Sequence, residues 1–77
     1  MKIDIYTKDN CIWCDRAKSL LQSEGLEYNE TDLSDDDSRL QFFSKLGENV
    51  RTVPQIFIEN KRIGGYQELV RWFSDGN

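Results

Sequence analysis

The sequence predicts an α/β domain with a mixed sheet of four strands and three helices. Three observations predict it. Apolar residues alternate with period two over residues 2–7 and then recur at helical spacing over residues 12–24. The same switch from strand to helix follows again, ending at Gly47. Two short β-rich runs then precede a last helical segment. The order βαβ followed by αββα, under the right-handed crossover rule, gives a mixed sheet covered by helices on both faces. At 77 residues the chain is expected to be one domain, 1–77.

The elements follow in turn. Met1, Ile3 and Ile5 alternate with Lys2, Asp4 and Tyr6 in the first strand, and Lys8-Asp9-Asn10 make a polar turn. Ala17, Leu20 and Leu21 set the apolar stripe of helix one, which Gly25 stops. Residues 26–31 alternate and read as a second strand. Ser34, with Asp37 three residues on, resembles a capping box, and three aspartates suit a helix N-terminus. Leu40, Phe43, Leu46 and Phe42 are the expected buried stripe of helix two. Residues 48–52 form a loop, 55–59 a third strand, Asn60-Lys61 a turn and Arg62-Ile63 a return strand. Gly64-Gly65 break it, and Leu69, Val70, Trp72 and Phe73 supply a helix over 66–74.

Composition narrows the function. Hydrophobic residues make up 38% and aromatics 12%, which suits a folded domain. Nothing approaches the ~18 apolar residues of a membrane span, and with no basic-then-apolar pattern over the first residues no signal sequence is expected. A cytoplasmic location is therefore expected. The net charge is −4, and Glu24, Glu27, Glu30, Asp32, Asp35, Asp36 and Asp37 fall in one stretch without Lys or Arg. The remainder holds seven acids against ten bases, so one face is expected to be acidic and the redox end neutral or basic. No basic run supports nucleic-acid binding.

The chain has two cysteines, Cys11 and Cys14, and no histidine. A tetrahedral zinc site needs about four such ligands, so one chain does not form it. A structural disulfide across so short a loop stabilises little. At the first turn of a helix, though, unpaired N–H groups and the dipole favour a thiolate, and a thiolate beside a second thiol makes and breaks disulfides. The pair reads as redox-active.

Three blocks in order carry a resemblance: Tyr6-Thr7-Lys8 followed by Cys11-Ile12-Trp13-Cys14, then Arg51-Thr52-Val53-Pro54-Gln55-Ile56-Phe57-Ile58, then Ile63-Gly64-Gly65-Tyr66. Across nearly its whole length the chain resembles glutaredoxins of the dithiol type, small redox proteins with the thioredoxin-like fold. The resemblance implies a glutathione-dependent thiol–disulfide oxidoreductase, reducing protein disulfides and glutathione mixed disulfides. Cys11 is the implied nucleophile and Cys14 the resolving thiol. Lys8 and Arg39, with Gln41 as the fallback, would grip the glycyl carboxylate of glutathione. Thr52, Val53 and a cis-Pro54 would line its groove, with Val53 pairing in β fashion. Gly65 and the N–H groups of Tyr66 and Gln67 would receive the γ-glutamyl end, where Glu68 is the nearest acid. Trp13 keeps the aromatic of the family's Pro-Tyr, while Ile12 replaces its proline.

That replacement opens an alternative, a carrier of a glutathione-ligated [2Fe–2S] cluster held at Cys11, although no obligatory metal is expected. A redoxin reduced by thioredoxin reductase is another. Glutathione and glutathionylated or disulfide-containing proteins are the expected partners, with a monomeric chain. Ribonucleotide reductase is among the family's substrates, though no residue here identifies it.

Overall fold

A computed structural model describes residues 1–47 and 49–76. The elements run β1 (Ile3–Thr7), α1 (Ile12–Ser23), β2 (Asn29–Asp32), α2 (Asp36–Leu46), β3 (Gln55–Ile58), β4 (Lys61–Gly64) and α3 (Tyr66–Ser74). In the sheet the strands lie in the order β2-β1-β3-β4. β2 is parallel to β1, as the α1 crossover requires, and the other pairs are antiparallel.

Strand alternation builds two layers. Ile3 and Ile5 of β1 and Ile56 and Ile58 of β3 face Ala17 and Leu21 of α1 and Leu69 of α3. Each buried isoleucine or leucine there contributes about 1.5–3 kcal/mol relative to exposure. On the opposite face Tyr6 stacks on Phe42 of α2 at 4.2 Å between ring centroids and meets Phe57 edge-on at 5.7 Å. Helices therefore cover both faces of the sheet.

Four local expectations are corrected. The second strand begins at Asn29, not at residue 26. The N–H groups of Gly25 and Leu26 bond to the carbonyls of Gln22 and Leu21 in a helix-ending Schellman pattern, so Leu26 cannot join the ladder. The N-cap of α2 is Asp35, not Ser34: its carboxylate accepts the Ser38 N–H at 2.9 Å. Ser34 is engaged elsewhere, its hydroxyl accepting the Asp9 N–H at 2.9 Å, which ties the entry of α2 to the turn before the cysteines. Leu40 is 61% exposed, because Phe42 makes the contact with the sheet. The β3–β4 turn is Glu59-Asn60, both in the left-handed region (φ 52° and 67°), as a two-residue hairpin of this twist requires. Residue 48 of the expected loop 48–52 lies outside the described residues.

One polar cluster joins β1, β2 and α1. Thr7, 1% exposed, donates its hydroxyl to Glu30 at 2.7 Å, and Lys18 donates to the same oxygen at 3.1 Å. The Thr7 hydrogen bond holds the Glu30 carboxyl below its ordinary value of 4.5; burial opposes the shift and Lys18 adds to it. A lowered folded value means that the carboxylate stabilises the fold above that ordinary value and loses its effect as pH falls through the lowered one. Glu30→Gln is accordingly expected to reduce the urea midpoint at neutral pH and to converge on wild type in acid. A gap independent of pH would show that the charge is not involved.

Candidate functional site

The site is built where β1 ends and α1 begins. Asn10 turns the chain in the left-handed region (φ 51°), which asparagine tolerates, and so delivers Cys11 to the helix N-terminus. Cys11 is the N-cap of α1, extended at φ −121° and ψ 102°, and its sulfur accepts the Cys14 N–H at 3.2 Å. The two cysteines are disulfide-bonded, with Cα atoms 5.3 Å apart. Their surroundings differ. Cys14 is 1% exposed beneath the first turn, whereas Cys11 is half-exposed at the groove edge. In the reduced protein the Cys14 N–H and the helix dipole stabilise negative charge on the Cys11 sulfur.

The Thr52–Pro54 segment lies across from the cysteines. Cys11 Sγ is 3.8 Å from the Val53 carbonyl oxygen, and the Val53–Pro54 bond is cis. A groove in two lobes flanks Cys11, with Trp13, Thr52 and Val53 forming walls of both. The larger lobe, about 340 Å³, adds three cations, Lys8, Arg39 and Arg51. The smaller, about 230 Å³, adds Pro54, Gly65, Tyr66, Gln67 and Glu68. Every residue singled out from the sequence therefore borders this one groove, except Cys14, which lies under it, and Gln41, which lines neither lobe.

Individual placements refine the picture. Trp13 is 46% exposed, its ring 5.6 Å from Tyr66 and under the Arg16 guanidinium at 4.8 Å. Ile12, in the proline position, is 59% exposed. Arg39 borders the groove, but its guanidinium also donates to the Leu33 and Ser34 carbonyls (2.8 and 3.2 Å) and to Asp36 at 2.6 Å. It anchors the entry of α2 with most of its donors. Asp15 is solvent-facing and pairs with Lys18 at 3.9 Å.

At the other end, Glu68 accepts the Gly65 N–H at 2.8 Å. Tyr66 and Gln67 open α3, so their N–H groups have no carbonyl one turn back. Gly64 must be glycine: its φ is 124°, and a Cβ there would lie 2.8 Å from Glu68 Cγ.

Three groove residues received no site role from the sequence: Asn10, read only as part of the polar turn, Arg51 and Phe43. Arg51 was visible as the cation preceding Thr52, and Phe43 was assigned to the core stripe of α2 but forms part of the larger lobe. Among the described residues no three His, Cys, Asp or Glu side chains converge as a metal cage.

Comparison with known proteins agrees with this geometry. The Glutaredoxin family model matches residues 3–63. A probable glutaredoxin of Synechocystis is 41% identical over 68 residues, an alignment covering 88% of this chain and 62% of that protein, so the chain spans less than two thirds of this relative. Glutaredoxin 1 from Francisella tularensis, crystallised with cacodylate, superposes with a TM-score of 0.89 at 31% identity, covering 96% of this chain and 93% of that one. A buckwheat glutaredoxin–glutathione complex gives 0.82 at 29% identity, covering 96% of this chain and 69% of that one. The mixed sheet, the three helices and the cysteine pair at the start of α1 are those of the thioredoxin-like fold, and the chain belongs to the glutaredoxin family.

Proposed function

We propose that this chain is a glutathione-dependent thiol–disulfide oxidoreductase. The observation that carries the reading is the asymmetry of the cysteine pair within the groove. A half-exposed Cys11 caps the helix beside the Val53 carbonyl, while Cys14 is buried behind it. The larger lobe, with Lys8, Arg39 and Arg51, suits the glycyl carboxylate of glutathione. The smaller lobe, with the N-terminus of α3, suits the γ-glutamyl carboxylate. The glutathione carried by the buckwheat relative fits the same reading.

In the proposed cycle the Cys11 thiolate attacks one sulfur of a substrate disulfide. A Cys11–substrate bond forms and the other sulfur leaves as a thiolate, which takes up a proton. With a protein disulfide, Cys14 loses its proton and attacks the Cys11 sulfur. The second substrate thiol departs and the Cys11–Cys14 disulfide remains. Two glutathione molecules then return two electrons, forming glutathione disulfide. With a glutathionylated protein, Cys11 accepts the glutathionyl group alone and a second glutathione removes it.

NADPH consumption tests this, coupled through glutathione reductase with a small glutathione mixed disulfide, and compared with thioredoxin reductase as sole reductant. Turnover is expected with glutathione. Turnover only with thioredoxin reductase would overturn the proposal. In the same assay Lys8→Gln and Arg51→Gln should each raise KM about two- to fivefold with kcat little changed, the scale of an exposed charge contact. Arg39 is the poorer probe, since its replacement also frees the α2 entry.

A further inference from the structure

We propose that Gln55 is a positioning residue for this groove, acting from beneath to fix the Thr52–Val53 peptide so that the Val53 N–H faces the ligand. The proposal rests on the glutathione reading above and names a part of the chain that reading leaves unused. Ile56 and Ile58 of β3 point into the core, so Gln55 and Phe57 point to the opposite face, under the Thr52–Pro54 segment. Gln55 is 2% exposed. An amide buried so deeply is costly unless both of its ends are bonded.

Both ends are. The Nε2 group donates to the Thr52 carbonyl at 2.9 Å and lies 3.4 Å from the Thr52 hydroxyl. The Oε1 atom accepts from Arg62 Nε of β4 at 2.9 Å. Because a guanidinium can only donate, Arg62 fixes which way the amide points: oxygen toward β4, NH₂ toward Thr52.

The consequence lies one bond further along. The Thr52–Val53 peptide is trans, since Val53–Pro54 is the cis bond among the described residues. In a planar trans peptide the C=O and N–H point in opposite directions. With the Thr52 carbonyl held down toward buried Gln55, the Val53 N–H is turned outward, where Val53 lines both lobes. It has no hydrogen-bond partner among the described residues. A ligand with a peptide backbone beside its reacting sulfur can use that N–H; a disulfide lacking a backbone cannot.

Two disulfides therefore test the proposal by stopped-flow fluorescence, with Trp13 beside Cys11 as reporter: glutathione disulfide and bis(2-hydroxyethyl) disulfide. For reduced Gln55→Met, the rate constant with glutathione disulfide should fall about five- to tenfold, the worth of roughly one well-formed hydrogen bond, while that with bis(2-hydroxyethyl) disulfide stays within about twofold. Arg62→Leu, an exposed change that frees the amide, should show the same selectivity with a smaller loss, and it decides the matter if Gln55→Met does not fold. Equal losses for both disulfides, or unchanged rates for both, would overturn the positioning role. A wild-type protein that does not prefer glutathione disulfide would overturn the glutathione reading, and this proposal with it. A wild-type preference that persists in both variants would overturn this proposal alone.

Discussion

Cys11→Ser is expected to reduce disulfide exchange to background, while Cys14→Ser retains turnover of glutathione mixed disulfides. The difference follows from where the two sulfurs sit. Only Cys11 reaches the groove; Cys14 is 1% exposed behind the first turn of α1. A serine hydroxyl at position 11 does not ionise at neutral pH, so the charge that the Cys14 N–H and the helix dipole would stabilise never forms. Cys14→Ser leaves that nucleophile and its helix intact and removes only the second attack. Protein disulfides, which need that attack for release, should then accumulate as mixed disulfides with Cys11. Steady-state rates with a glutathionylated peptide and with a disulfide-bonded protein separate the routes. Equal losses for Cys11→Ser and Cys14→Ser on the glutathionylated peptide would contradict the assignment.

Leu21→Ala has the largest expected effect on stability. Leu21 is fully buried on α1, in the cluster formed with Ile3, Ile5, Ile56 and Leu69. Truncation there costs about 2–5 kcal/mol, through lost burial and the cavity left behind. A domain of this length holds roughly 4–12 kcal/mol in total, so a large share of it goes. The helix it anchors also carries both cysteines. Leu40→Ala, at 61% exposure, is the control and should shift stability by no more than about 0.5 kcal/mol. Urea titrations of the two variants decide. Equal midpoints would mean that the core is not organised around α1.

The features legible in the sequence are those fixed by local chemistry. Ile3 and Ile5 announce β1 by alternation, Gly25 marks the end of α1, and the Cys11–Cys14 spacing places both sulfurs at one helix start. What escaped the sequence depends on partners distant along the chain. Ser34 looks like a helix cap until the Asp9 N–H, 25 residues earlier, is seen to occupy it. Residues 26–28 alternate like a strand, yet the Leu26 N–H is engaged at the end of α1. The stripe of α2 suggested Leu40 as core, but only the Tyr6–Phe42 stack shows which side of that helix meets the sheet. Lys8, Thr52 and Tyr66 were named from the matching blocks and line the groove; Arg51, in the same blocks, and Phe43 drew no site role until the lobe closed around them. Gln55 was read simply as a strand residue, because its partners Thr52 and Arg62 come together only in the folded sheet.

The most direct test of the central claim is the solution structure of Cys14→Ser trapped as a mixed disulfide with glutathione. Intermolecular contacts should link the cysteinyl backbone of glutathione to Val53, its glycyl end to Lys8 and Arg51, and its γ-glutamyl end to Tyr66 and Gln67. Glutathione attached at Cys11 but making no ordered contact with either lobe would contradict the account.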